Sequence, residues 1–191
     1  MSDIFVDNIK HQSSQGSGTI TVGASGETVA PASGVMTKLG VFENQLLHVR
    51  DEKAQDTHGG SSSAGANTRD LNTVKTNEIT GASLSSNQVT LPAGTYYAEG
   101  SAPVYKANYT HCYLYNVTDS ATELVGSTQY AINTYNGYQT GTFCGRFTIS
   151  AQKTFEVRSY TLAGLATFGL GLKALDINIS VFADLRIWRI S

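Results

Sequence analysis

Apolar and polar side chains alternate along most of the chain from Leu39 onward, and this period of two predicts β-strands rather than helices. The clearest case is residues 71–100, where Val89 and Leu91 share one face of a strand. Pro92 then ends that strand, because proline has no N–H to donate to a ladder. A turn at Gly94 leads into the next strand. Further strands are predicted at residues 39–49, 97–104, 110–117, 122–131, 141–150, 154–160 and 176–190. Roughly eight to ten such strands are typical of an all-β, two-sheet antiparallel jelly-roll sandwich.

Two stretches interrupt the alternation. Residues 50–66 are polar and rich in Gly and Ser, which predicts a surface loop. Residues 161–175 are apolar but are broken by Gly164, Gly169 and Gly171. Repeated glycine favours a packed loop there, with a helix as the alternative.

The N-terminal segment differs from the rest, and we predict an anchor and short β stalk over residues 1–35 and a jelly-roll knob over residues 36–191. An apolar patch formed by Ile4, Phe5, Val6 and Ile9 stands isolated there, so it is expected to dock onto another protein. Residues 18–34 repeat a short β piece and a Gly/Ser turn, and such rungs need neighbours to stack on. A flexible Gly/Ser-rich linker is the alternative.

The last predicted strand has two faces of different character. One face is continuously apolar and is predicted to be the core: Ile177, Ile179, Val181, Ala183, Leu185 and Ile187. The other face is predicted to be a subunit interface and includes Phe182, Asp184, Arg186, Trp188 and Ile190. A solvent face should not hold three large apolar side chains together, so contact with other subunits is expected. Asp184 and Arg186 are expected to pair between chains, with a pair inside one chain as the alternative.

Composition narrows the range of partners. Charged residues make up 15% of the chain, the net charge is -2 and the pI is about 6.0, so there is no diffuse basic field to attract nucleic acid. No apolar run approaches the 18 or so residues needed to cross a bilayer, so neither membrane insertion nor a secretory segment is expected.

No catalytic, cofactor or metal site is predicted, and the protein is expected not to be an enzyme. The histidines, His11, His48, His58 and His111, are dispersed and match no metal-ligand spacing. No G-x-S-x-G elbow is present. Carboxylate pairs such as Asp51 with Glu52, or Glu43 with Glu78, are compatible with glycoside hydrolysis, but solvated side chains are the expected interpretation.

The two cysteines are predicted to remain free thiols. Cys112 shares a strand face with Leu114 that should point inward. Cys144 shares a face with Arg146 and Thr148, opposite the apolar face of its strand, and should point outward. A disulfide needs converging side chains, so these two residues are not expected to pair.

Residues 130–138 form the candidate ligand loop, in which the residues of interest are Tyr130, Asn133, Tyr135, Asn136 and Tyr138. Tyrosine offers a rigid ring and a hydroxyl, and asparagine offers an amide, so such a loop suits stacking on a sugar and hydrogen bonding to it. The alternative is a hairpin connection whose tyrosines cover the edge of the sandwich or a neighbouring subunit.

The stretch L-P-A-G-T-Y at residues 91–96, followed by a tyrosine-bearing strand, resembles the jelly rolls of the tumour-necrosis-factor and complement-globular-head type. The wider set N-T-V (72–74), T-N-E-I (76–79), G-A-S-L (81–84), L-Y-N-V-T-D (114–119) and V-F-A-D-L-R-I-W (181–188) resembles a domain of virion proteins of tailed bacteriophages. The resemblance covers residues 39–191.

The resemblance implies a homotrimer in which the sheet holding the final strand lines the threefold axis. It further implies a non-enzymatic virion protein, made in the host cytoplasm and displayed on the virion surface as a head decoration, head fibre or short tail appendage. Its expected partners are copies of itself and other virion proteins such as capsid or tail, with host surface polysaccharide as a further ligand. The alternatives are a virion-associated polysaccharide depolymerase and a free trimeric lectin.

Overall fold

The computed structural model describes residues 45–134, 136–173 and 178–190. The predicted anchor residues Ile4, Phe5, Val6 and Ile9 and the predicted stalk lie outside the described residues. The division of the chain at residue 35 therefore stays a prediction.

The described chain contains twelve β-strands. They are β1 Gln45–Ala54, β2 Gly65–Thr68, β3 Thr73–Asn77, β4 Ser83–Ser85, β5 Gln88–Leu91, β6 Gly94–Tyr105, β7 Asn108–Asn116, β8 Ala121–Val125, β9 Gln129–Ala131, β10 Tyr138–Ile149, β11 Lys153–Thr161 and β12 Ile179–Arg189. One antiparallel sheet has five strands in the order β10-β6-β12-β1-β3. The other has seven strands, with β4-β5-β11-β7-β8 in order, β2 pairing with β11 and β9 pairing with β7. The predicted all-β, two-sheet class is confirmed.

The inward faces of the two sheets form one core. On β1, Leu47 and Val49 are fully buried, and on β10 Phe143 and Phe147 are nearly so. The rings of Tyr96 on β6 and Phe147 stack at 5.5 Å. The alternation predicted these positions because every second side chain of a strand points to the same face.

Two of the predicted strand boundaries are wrong. Residues 50–66 are not all loop, since β1 continues to Ala54 and Gly65 opens β2. Residues 122–131 form two strands rather than one, because Gly126 lies against the backbone of β10 and interrupts the ladder. A Cβ atom at Gly126 would stand 1.8 Å from the carbonyl oxygen of Thr142, so the chain passes closer there than any other residue allows.

A β-bulge in β12 overturns the predicted assignment of its faces. Arg50 pairs with Asp184 and Asp51 with Ala183, but Glu52 pairs with Val181, so Phe182 is an extra residue. Both Phe182 and Ala183 are therefore buried, at 2% and 1% exposed. The prediction that Phe182 belongs to the outward face is wrong, because the bulge turns its ring into the protein.

The same bulge moves two predicted core residues outward. Ile179 is 52% exposed and Val181 is 40% exposed, while Ser180 between them is buried. Ile177 lies outside the described residues. Beyond the bulge, the outward face thus loses one phenylalanine and gains two aliphatic side chains.

The described part of residues 161–175 contains no helix, in agreement with a packed loop. Leu165 forms a β-bridge with Ser62, and Gly59 donates a hydrogen bond to the carbonyl of Gly171. The loop therefore packs on the segment between β1 and β2. Gly59 and Ser62 are consequently buried, so the prediction of a surface loop is wrong for these two residues.

Candidate interaction surfaces

The outward face of the five-stranded sheet, called the β12 face here, carries three of the predicted interface residues, Asp184, Arg186 and Trp188, in three successive rows. In the first row, Asp184 of β12 lies between Arg50 of β1 and Ser101 of β6. The next row is His48, Arg186, Glu99 and Cys144, and the third is Leu46, Trp188, Tyr97 and Arg146. The β12 face thus places charged residues at its centre and large apolar residues at one end.

Asp184 is the centre of a charge cluster. Its carboxylate accepts a hydrogen bond from Arg50 Nε at 2.7 Å and lies 3.2 Å from His48 Nε2. Its other oxygen is 3.2 Å from Arg186 Nε. Of the two alternatives for Asp184 and Arg186, the structure contains the pair within one chain. A carboxylate held by three cationic or potentially cationic groups is fixed in position, which suits a structural role better than acid–base chemistry.

Aromatic and aliphatic side chains border this cluster. The rings of Tyr97 and Trp188 are 6.2 Å apart, and neither residue is fully buried. Ile179 and Val181 lie exposed beyond the bulge. Ile190 is partly buried after the end of β12. Aromatic residues and arginine are the types enriched at the centres of protein–protein interfaces.

A cleft of about 400 Å³ opens at the β10 side of the β12 face. Glu99, Cys144 and Arg186 line its floor, and Gly126 and Ser127 of the segment after β8 form its wall. The wall exists because Gly126 N–H donates to the carbonyl of Cys112, which draws that segment across the edge of the sandwich.

The candidate ligand loop connects the two sheets. Tyr130 on β9 belongs to the seven-stranded sheet, whereas Tyr138 on β10 belongs to the five-stranded sheet, so the connection is not the hairpin considered as the alternative. Asn133 is exposed, and Asn136 accepts a 2.6 Å hydrogen bond from the hydroxyl of Tyr105. Tyr135 lies outside the described residues.

Tyr130 and Tyr138 belong to different sheets, and their side chains also have different surroundings. The ring of Tyr130 packs edge-on against Tyr109 of β7 at 5.2 Å. The ring of Tyr138 instead lies 6.5 Å from that of Tyr105, and burial raises the pKa of its hydroxyl. The binding role of the loop stays a prediction.

Of the carboxylates considered for glycoside hydrolysis, Asp51 and Glu52 do not converge, and Glu43 lies outside the described residues. Asp51 points inward and is 1% exposed, and burial raises its pKa although Lys53 Nζ stands 3.1 Å away. Glu52 points to the opposite face and pairs with Lys75 at 3.1 Å. Glu78 accepts a hydrogen bond from the backbone of Leu46. Two carboxylates on opposite faces of a strand cannot flank one glycosidic bond.

The cysteines lie where the alternation predicted. Cys112 is buried and Cys144 is exposed, and both are free. Burial raises the pKa of the Cys112 thiol to about 12, so it stays protonated and inert at neutral pH.

Within residues 45–134, 136–173 and 178–190, no group of three or more His, Cys, Asp or Glu side chains is placed to hold a metal ion. The same residues contain no helix long and apolar enough to cross a membrane.

Sequence reasoning missed Arg69, which is 1% exposed. One of its terminal nitrogens donates to the carbonyls of Leu170 and Phe182, at 2.5 and 2.7 Å. Burial lowers the pKa of this guanidinium to about 10, which leaves it protonated at neutral pH. Arg69 therefore ties the loop after β11 to the bulge of β12. No local signal marks it, because both of its acceptors are backbone atoms more than 100 residues away.

No family model matches the chain, and no curated protein matches it. Among solved structures, murine APRIL at pH 8.0 superimposes with a TM-score of 0.52 at 9% identity, covering 77% of this chain and 99% of that one. Murine APRIL at pH 5.0 gives 0.51 at 10% identity, with the same coverage. The globular domain of zebrafish complement 1qA gives 0.48 at 12% identity, covering 78% of this chain and 98% of that one. The likeness to APRIL shows the fold alone: a jelly roll of the tumour-necrosis-factor type.

Proposed function

We propose that this protein is a non-enzymatic structural protein of a tailed-bacteriophage virion, a homotrimeric knob attached by its N-terminal segment to the particle. Each knob would display its remaining surface toward the host. The fold and the resemblance of the sequence to phage virion domains support this proposal, and the β12 face carries it.

The β12 face has the composition of a subunit interface. Tyr97 and Trp188 form an aromatic pair at one end, and Ile179 and Val181 are exposed at the other. Between them, Asp184 pairs within the chain with Arg50 and Arg186. Burying these charges costs less than burying them unpaired, and the apolar ends of the face gain free energy on burial. The interface we propose therefore comprises Asp184, Arg186, Trp188 and Ile190, together with Ile179 and Val181 in place of Phe182.

Substitution of Trp188 tests the trimer. Trp188→Glu should convert the trimer to monomers, because it places an unpaired carboxylate in a desolvated aromatic site. Molar mass by light scattering measures the change, and circular dichroism checks that the β fold persists. Leu162→Glu is the matched control, since Leu162 is 50% exposed outside the β12 face, and it should stay trimeric. A trimer that survives Trp188→Glu would contradict this interface.

The attachment role belongs to Ile4, Phe5, Val6 and Ile9. Replacing these four residues by serine should leave a folded trimer that no longer incorporates into particles, because the apolar patch would lose its docking surface. The control replaces the interleaved polar residues Asp3, Asp7, Asn8 and Lys10 by serine, which should preserve incorporation. The measurement is the amount of protein that copurifies with virions. Normal incorporation of the apolar-to-serine variant would place the anchor elsewhere.

Adhesion to host surface polysaccharide is the further role of this knob. Tyr130, Asn133, Tyr135, Asn136 and Tyr138 remain candidates for it. Depolymerase activity would need paired carboxylates in a groove, whereas Asp51 and Glu52 diverge and Asp184 is held by its cationic neighbours. An assay for cleavage of host surface polysaccharide separates adhesion from hydrolysis.

A further inference from the structure

We propose that an aromatic strip on the seven-stranded sheet binds a neutral polysaccharide. The strip, called the tyrosine strip here, consists of Tyr109, His111, Tyr113 and Tyr115 on β7, Tyr130 on β9 and Tyr160 on β11. This inference deepens the adhesive role proposed above and rests on it, because it names the surface and the class of ligand.

The strip follows from strict alternation in β7. The even-numbered residues Thr110, Cys112, Leu114 and Asn116 are all buried, at 2% exposed or less. The odd-numbered residues therefore occupy the outward face of the strand, one after another. From Tyr109 to Tyr115 they extend about 20 Å, at about 3.3 Å per residue. Tyr113 is only 8% exposed, so the accessible part of this row is its Tyr109 end, where Tyr130 and Tyr160 lie beside it and leave room for a short run of sugar rings.

Neighbouring strands widen the strip through ring contacts. Tyr130 packs edge-on against Tyr109 at 5.2 Å. Tyr160 lies parallel to His111 with an interplanar angle of 9°. His111 in turn lies 5.4 Å from Tyr113. Rings fixed by such contacts offer a rigid surface, so little conformational entropy is lost when a ligand binds.

The strip is open at one end and keeps its hydroxyls available. Tyr109, Tyr130 and Tyr160 are 57%, 51% and 37% exposed. Within the described residues, the hydroxyls of these three tyrosines make no hydrogen bond to the protein. Exposed rings for stacking and free hydroxyls for hydrogen bonding are the two groups that recognition of a sugar needs.

Charge complementarity selects a neutral ligand. The ion pair that borders the strip is formed by Arg158 and Glu156, whose atoms Nε and Oε2 are 2.8 Å apart. The guanidinium of Arg158 also lies 3.5 Å from the centre of the Tyr115 ring. Its charge is thus already neutralised, and the strip presents no free cation to an anionic polymer.

The position of the strip keeps it accessible in the proposed trimer. It lies on the outward face of the seven-stranded sheet, whereas the β12 face belongs to the five-stranded sheet. A second copy of this chain is therefore expected at the β12 face and not at the strip.

Affinity gel electrophoresis of the full-length trimer tests the inference. The gels contain hydroxyethylcellulose, laminarin or galactomannan as neutral probes and polygalacturonate as the anionic probe. At least one neutral polymer should retard the protein, and polygalacturonate should not. Tyr109→Ala combined with Tyr130→Ala should weaken retardation about tenfold, since each lost ring contact costs roughly two- to tenfold in affinity. The combined phenylalanine variants keep the rings, so they should fold and show an intermediate loss.

Val74→Ala is the matched control, because Val74 is 49% exposed but lies on β3 of the other sheet. It should bind as the unmodified protein does. The inference is overturned if none of the three neutral polymers retards the protein, or if Val74→Ala weakens binding as strongly as the double variant. A changed molar mass of the double variant in light scattering would also overturn it, since the strip would then contact a second copy. The binding outcomes do not affect the tests of trimer formation or virion incorporation, which do not depend on glycan.

Discussion

Glu156 shows how a single residue can make the seven-stranded sheet sensitive to pH. It is 7% exposed and accepts hydrogen bonds from Gln88 Nε2, Thr68 Oγ1 and Arg158 Nε, at 2.8, 2.9 and 2.8 Å. Burial alone would raise the pKa of this carboxyl group. The three donors outweigh that effect and hold the pKa below its usual value of 4.5. The carboxylate therefore stabilises the fold at pH values above about 4.5, and this contribution is lost as the pH falls through the lower folded pKa.

Glu156→Gln should lower the free energy of unfolding by about 1–3 kcal/mol at pH 7, since the amide cannot satisfy all three donors. The difference from the unmodified protein should shrink as the pH falls through the folded pKa, where the unmodified carboxyl also becomes neutral. Urea denaturation over that range measures both effects. Glu123→Gln is the control, because Glu123 accepts a single 3.3 Å hydrogen bond from Asn116. An equal loss at all pH values would contradict the assigned role of the charge.

The misplacement of Phe182 marks the limit of residue-by-residue prediction. Alternation locates the faces of a strand only while the register is unbroken, and one extra residue exchanges the faces beyond it. The residues after the bulge, such as Leu185 and Ile187, were assigned to the core correctly. The bulge itself has no local signal, since Arg69 supports it from a distant part of the chain.

At the scale of elements, the segment between β8 and β9 closes one edge of the sandwich. Gly126 allows this because a Cβ atom there would meet the carbonyl oxygens of Thr142 and Cys112, at 1.8 and 2.8 Å. These are backbone atoms of two different sheets, so neither can move without disturbing its ladder. The sequence does contain this glycine within a predicted strand, which is a known indication of a close backbone approach.

Gly126→Ala should destabilise the protein by roughly 1–3 kcal/mol or more, through overpacking against fixed backbone. Gly145→Ala is the matched control, because its Cβ would meet the end of the flexible Leu124 side chain at 2.7 Å. The control should cost less, since Leu124 can rotate away. The midpoints of urea unfolding compare the stability of the two variants. Equal losses of stability would show that the clash with backbone atoms does not determine the cost at Gly126.

For the molecule as a whole, the sequence predicted the class of fold because alternation and turn residues act locally. Pro92 ends β5 at Leu91, and β6 begins at Gly94, as their chemistry requires. The tyrosine strip could be predicted only in part from the sequence. Tyr113 and Tyr115 could be placed outward once Cys112 was placed inward, but the alignment of Tyr130 and Tyr160 with them depends on the pairing of three strands.

The central position of β12 also determines when the five-stranded sheet can be completed during synthesis. β12 is hydrogen-bonded to β1 on one side and to β6 on the other, although 73 residues lie between the end of β6 and the start of β12. While the ribosome translates the intervening residues, β1 and β6 each expose an edge that only β12 can cover. Such edges can pair with other chains. The nascent chain therefore carries two aggregation-prone edges until β12 has emerged from the ribosome.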